Sequence, residues 1–273
     1  MCNYKLNYNS IYENETKPLV HFITNYVTIN DVANMTLAFG GSPIMAEAIE
    51  EIEEITSKCN CLVINFGTLT TYRLDSIYKS IEVANAKSIP VIIDPVGVAA
   101  STYRKKIVLD ILKKYKISIL KGNASEIKAL LGLQTLSKGV DSDEKDYEDI
   151  DTIGTELAKK YNLVVAITGE IDTICSKKHI AKISGGSKML TYITGTGCMT
   201  SALIAVSLAK NTDPFTSSIY AIATMNKGAR IAESSLKEGE GAGTFKVKLF
   251  DNIYNMKNIS SMDKGKVNIY EVK

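Results

Sequence analysis

Apolar residues in this chain follow two alternating rhythms. Short unbroken runs at 18–25, 61–68, 90–97, 117–120 and 163–169 each lead into Thr, Asn, Asp or Gly. Between them, apolar residues recur every three or four positions, which predicts helices over 32–40, 47–58, 69–87 and 151–161 and a basic helix ending at Lys116. Asn30 and Asp31 read as the cap of the first helix and Gly40-Gly41 as its stop. Continuous apolar strands suit a sheet buried on both faces, and strands alternating with helices imply crossover connections. The pattern therefore predicts an α/β fold with a mostly parallel central sheet and helices on both faces. From Ile171 to Tyr192 the segments shorten into expected antiparallel edge strands. The remainder reads as helical, over 213–236 and again near 245–254. Neither a repeat nor a linker divides the chain, so 1–273 is expected to form a single domain, with residues 1–17 a loose or short helical arm.

One stretch departs from both rhythms. Ile193–Ala209 opens on Thr194-Gly195-Thr196-Gly197-Cys198 and runs on as an apolar segment of helical length. Two glycines one residue apart leave backbone N–H groups open, and the helix they start adds its positive dipole end, so the stretch reads as an anion-binding helix start. Cys198 would lie in the first turn, where a thiol is expected to have a lowered pKa and to accept a proton from a nearby alcohol. The plainer reading is a tight loop before a buried helix, with Cys198 a core residue.

Composition narrows the partners. With 45% apolar residues and a net charge of +2, its Lys and Glu interspersed, the chain does not present a nucleic-acid groove. Five cysteines without framework spacing and two histidines assemble neither a disulfide scaffold nor a zinc site, which fits a reducing cytoplasm. The polar first 17 residues read neither as a secretory signal nor as a presequence. The uncharged run Met189–Ala209 is too rich in Thr, Gly and Ser for a membrane span, so no membrane is expected.

Candidate chemistry gathers where the strands end, since ligands of parallel sheets bind beyond the carboxyl ends. Asp94 precedes Pro95 at a buried strand end, where an unpartnered carboxylate is costly. Asn123 and Glu126 read as a helix cap with its capping-box partner, or, with Asp94, as holders of Mg²⁺ through water beside ATP phosphates. Thr168 closes a turn or bonds a nucleotide phosphate. His21 reads first as a packed, hydrogen-bonded core group and second as a base. The carboxylates of 47–58 read as a solvated helix face.

The blocks 21–45, 94–98 (DPVGV), 121–130 (KGNASEIKAL), 164–170 (VVAITGE) and 194–205 (TGTGCMTSALIA) resemble, in the same order, the hydroxyethylthiazole kinases of the ribokinase-like fold. The resemblance covers roughly residues 17–256. Its GTGC and NxxE elements are shared with other vitamin kinases, and the N-terminal block points to the thiazole enzyme. It implies a three-layer fold and ATP- and Mg²⁺-dependent phosphorylation of the primary alcohol of 4-methyl-5-(2-hydroxyethyl)thiazole in thiamine salvage. A homotrimer with active sites between subunits is implied as well. Carried over, Met45 and Gly195 contact the thiazole, joined by Asn25, while Lys121 and Thr168 contact ATP, joined by Asn123 and Gly197. Asp94 and Glu126 take the metal, and Cys198 stands where sugar kinases of this fold have an aspartate base. Similar enzymes often carry Arg where this chain has Lys121, whose ammonium makes a point contact instead of a planar fork. The alternatives are a hydroxymethylpyrimidine or pyridoxal-type kinase of the same fold, and a nucleotide-binding regulator without turnover.

Overall fold

Successive residues of each strand feed opposite layers. In β3 (Cys61–Asn65), Cys61 and Val63 pack into one core cluster and Leu62 and Ile64 into the other. This is a computed structural model, and it describes residues 11, 15–133, 149–211, 213–256 and 267–272. The other strands are β1 (Leu19–Ile23), β2 (Ser42–Ile44), β4 (Val91–Asp94), β5 (Ile119–Asn123), β6 (Val164–Thr168), β7 (Asp172–Cys175), β8 (His179–Ile183) and β9 (Val267–Glu271). They form one nine-stranded sheet in the order β2-β1-β3-β4-β5-β6-β7-β8-β9. Pairing is parallel from β2 through β6 and antiparallel from β6 through β9.

Helices cover both faces. On one lie α1 (Ile29–Ala38), α7 (Thr196–Asn211), α8 (Pro214–Ser234) and α9 (Ala242–Met256). On the other lie α2 (Ile52–Ser57), α3 (Thr71–Ala86), α4 (Thr102–Lys114), α5 (Ala124–Leu131) and α6 (Ile150–Tyr161). A short 3₁₀ helix, Lys188–Tyr192, leads into α7. From Met199 to Leu208 every residue of α7 is buried, so the uncharged run is an interior helix. Among the described residues, no helix is long and apolar enough to cross a membrane.

Several sequence expectations need correction. Residues 42–44 form an edge strand, and the tail is not wholly helical, because Val267–Glu271 adds β9 beside β8. Helix α1 starts at Ile29 with Thr28 at its cap position and no side-chain capping bond; Asp31, in the first turn, pairs instead with Lys246 of α9 at 2.8 Å. The acidic helix is only Ile52–Ser57. Its expected first turn is diverted by Arg73, 1% exposed, which donates to Glu47 Oε2 from Nε at 3.0 Å and from Nη2 at 2.7 Å. The same guanidinium donates to the Thr68 carbonyl and lies 4.3 Å from the Tyr26 ring centroid, so Glu47 is a buried cation's partner rather than part of a solvated face. Of residues 1–17, positions 1–10 and 12–14 lie outside the described residues; Ile11 is buried in the core.

Candidate active site

Parallel strands end along one edge of the sheet, and the polar residues picked from the sequence stand there in a row. Register pairs Asn65 with Asp94 and Asn123 with Thr168, while Asn25 follows β1 and Met45 follows β2. Helix α7 packs across β1, β3 and β4, which carries its N-terminus over those ends. Gly195, the residue before it, has φ +86°, and a Cβ there would stand 2.5 Å from Thr28 Cγ2. Glycine is therefore required twice over at this entry, by backbone and by space.

The charged centre is buried. Lys121, 3% exposed, donates to the Gly197 carbonyl at 2.9 Å and lies 3.5 Å from Asp94 Oδ2. Asp94, 1% exposed, also accepts from Ser201 Oγ of α7 at 2.8 Å. Burial works against the Lys121 ammonium, but Asp94, Cys198 and Glu126 outweigh it and hold its pKa above the ordinary value. Cys198 Sγ is met by the side-chain amides of Asn25 at 3.5 Å and Asn65 at 3.3 Å.

The expected lowering of the Cys198 pKa is overturned. Burial, reinforced by Asp94, pushes it up, while Lys121, Thr28 and Asn25 pull the other way without prevailing. A helix start acidifies a thiol only while desolvation stays small, and here α7 lies against the sheet.

Glu126 makes the capping box that one of its two sequence readings named. In it, Asn123 N–H donates to Glu126 Oε2 and Glu126 N–H donates to Asn123 Oδ1, both at 2.9 Å. A second backbone donor, Gly97 N–H, reaches Oε1 at 2.9 Å. Even so, burial and then the Asp94 charge raise the carboxyl to about 7. Glu126 is thus only partly ionised near neutral pH beside Asp94 and the single ammonium of Lys121, and a divalent cation would favour its ionised form. Since Mg²⁺ keeps several waters and needs only one or two carboxylates, Asp94 and Glu126 fit it. Among the described residues, no group of three or more His, Cys, Asp or Glu gathers at one point.

Thr168 Oγ1 donates to the Gly122 carbonyl at 3.5 Å, tying the ends of β6 and β5. His21 is a core group: Nε2 donates to the Ala46 carbonyl at 2.8 Å, Nδ1 meets Thr56 Oγ1 at 3.0 Å, and burial lowers its pKa. Met45 is half-buried and packs against the core beside that anchored loop. Sequence reading placed Asn65 at a strand end without a role, and missed Ser201 and Thr28. The available signals were an Asn closing an apolar strand, as Asn25 does, and a Ser one helical turn beyond Cys198.

A mostly parallel sheet between two helical layers, with a helix N-terminus, a buried Lys–Asp pair and a thiol at its strand ends, has the architecture of the ribokinase-like fold. Pyridoxal kinase from Staphylococcus aureus, solved with AMP-PCP and pyridoxal, shares this fold at a TM-score of 0.62 and 14% identity, over 94% of this chain and 100% of that one. The model of the hydroxyethylthiazole kinase family matches residues 12–259. A hydroxyethylthiazole kinase from Alkaliphilus metalliredigens is 43% identical over 253 residues, 93% of each chain. The solved hydroxyethylthiazole kinase protein from Pyrococcus horikoshii superposes at a TM-score of 0.82 with 34% identity, covering 97% of both chains. This chain belongs to the hydroxyethylthiazole kinase family.

Proposed function

We propose that the chain, a single kinase domain, transfers the γ-phosphoryl group of ATP to the primary alcohol of 4-methyl-5-(2-hydroxyethyl)thiazole, a step of thiamine salvage. The observation that carries this reading is the meeting of the α7 start, Lys121, Asp94 and Cys198 at the strand ends of a kinase fold. The alcohol oxygen attacks phosphorus in line, forming the new P–O bond as the bond to the β,γ-bridging oxygen breaks and ADP leaves. The hydroxyl proton goes to the Cys198 sulfur in its thiolate form, which becomes the thiol. Because burial keeps that thiol weakly acidic, proton acceptance is secondary, and positioning with charge neutralisation supplies most of the acceleration.

Lys121 and the Gly195–Cys198 amides face the phosphates, and Asn123 and Thr168 line the nucleotide side. Asn25, Met45 and Gly195 hold the thiazole. Asp94 and Glu126 would hold Mg²⁺, which neutralises phosphate charge when bound. Lys121 in place of a planar guanidinium gives the nucleotide a point contact. We place the thiazole site between subunits of a trimer. Supporting this, Met45 adjoins a loop pinned by His21 at Ala46 and by Arg73 at Glu47, and the nearby Tyr26 and Val27 are 56% and 66% exposed.

A panel of vitamin-precursor alcohols with ATP and Mg²⁺, followed by ADP release, tests the reading. The thiazole alcohol should give the highest kcat/KM. Faster turnover of pyridoxal or hydroxymethylpyrimidine would reassign the substrate, and nucleotide binding without ADP release on any alcohol would leave a regulator. The metal assignment has its own check: Glu126→Gln should raise the Mg²⁺ concentration needed for half-maximal rate. An unaltered Mg²⁺ titration at normal turnover confines Glu126 to capping α5.

A further inference from the structure

The two amides at Cys198 have fixed orientations. Asn65 Oδ1 accepts from the Gly67 backbone N–H at 2.9 Å and from Asn25 Nδ2 at 3.0 Å, so the oxygen end is assigned and Nδ2 is the end aimed at Cys198 Sγ. Asn25 is fixed likewise, its Oδ1 accepting from the backbone N–H and hydroxyl of Thr28, both at 3.1 Å. A flip of either amide would set N–H against N–H. Both side chains are buried, and a Cβ on Gly67 would stand 2.7 Å from Asn25 Cβ and 3.0 Å from Asn65 Oδ1, so the close approach of the pair depends on that glycine.

We infer that Asn65 is a positioning residue for phosphoryl transfer, its amide and that of Asn25 forming a two-donor cradle that holds the Cys198 sulfur as an acceptor. The fold alone does not need the donor end. The bonds to the Gly67 turn and the Asn25 amide use only the oxygen, so an aspartate would keep both acceptors, while adding a buried charge beside Asp94. What asparagine adds at the end of β3 is one N–H directed at sulfur. A thiol proton cannot point toward either amide, so it, or the lone pair that replaces it, faces away from the cradle. An N–H bond to sulfur also gains strength as the sulfur becomes anionic. The charged groups sharing that space are Asp94 from β4 and Lys121 from β5.

The inference rests on Cys198 taking part in the transfer, and a double-mutant cycle separates the two. Asn65→Asp keeps the oxygen acceptor and removes the donor. It should lower kcat by about 10- to 100-fold with KM for ATP nearly unchanged, and cost at most about 3-fold more once Cys198→Ala is present. Iodoacetamide labelling of Cys198, read by peptide mass spectrometry, should slow by about 10-fold in Asn65→Ala, which removes the donor without adding a charge. A merely structural Asn65 predicts losses in Asn65→Asp and Asn65→Ala that persist in full once Cys198→Ala is present. Full multiplication of the Asn65 and Cys198 losses, or unchanged labelling, overturns the cradle. If Asn65→Asp fails to fold by circular dichroism, Asn65→Ala carries the same cycle. An active Cys198→Ala enzyme instead refutes the role of Cys198 itself.

Discussion

Replacing Cys198 by alanine should lower kcat by about 10² to 10⁴, the range for a lost general base, with KM for ATP little changed. The low end is favoured by what surrounds the thiol. Burial and the Asp94 charge raise its pKa, so only a minor fraction is ready to accept a proton, and a group rarely in its active form contributes less. Lys121 and the N-terminus of α7 survive the substitution, and in the proposed mechanism they carry the charge stabilisation. Steady-state kinetics at saturating ATP settle the matter, and an unchanged kcat removes Cys198 from the mechanism. A loss near 10⁴ would mean that bound nucleotide and metal reverse the effect of burial on the thiol.

Mixing two dead variants should restore activity if sites are shared between subunits. Met45→Arg drives a charged side chain into the pocket of the adjoining site. Gly197→Asp acts on the phosphate side: a Cβ there would lie 3.1 Å from Lys121 Nζ, so the new carboxylate competes for that ammonium and repels the γ-phosphate. Each homotrimer should be nearly inactive. After unfolding and reassembly of an equal mixture, some sites combine an intact Met45 from one chain with an intact Gly197 from another. About a quarter of sites would do so under random assembly. Co-assembly is verified by differently tagged chains. If the mixed trimers form and stay as inactive as their parents, Met45 and the 195–198 loop meet within one chain or not at all.

The parallel half of the sheet was legible because strands buried on both faces leave unbroken apolar runs, as in Cys61–Asn65. β2 was not, since Ser42-Pro43-Ile44 is too short and polar to register as a strand. β9 was hidden for a related reason, its residues being half exposed and mixed in character. Helix 47–58 was overpredicted because periodicity within the segment cannot reveal Arg73, whose buried guanidinium claims Glu47 from 26 residues away. At the site, Asp94 stood out as a carboxylate ending an apolar strand. Asn65 did not, since an asparagine there reads as a turn former and its sulfur partner lies 133 positions further on. The thiol pKa failed for the same kind of reason: the local pattern showed the helix start, whereas desolvation is set by strands distant in sequence.

The two margins of the sheet also bear on self-association. An unpaired strand edge is a template for a strand from another molecule, and long, flat, apolar edges invite fibres. Here one margin is β2, three residues long and containing Pro43, which has no N–H to offer an incoming chain. The opposite margin is β9, whose Asn268 and Glu271 break up its apolar residues and which pairs with β8 along its full length, Ile183 against Val267 through His179 against Glu271. Without that last strand, five residues of β8 would lie open along an antiparallel ladder. Among the described residues, the final segment of the chain thus moves the open margin from β8 to β9, a strand that carries Asn268 and Glu271, at the end of the sheet farthest from β2.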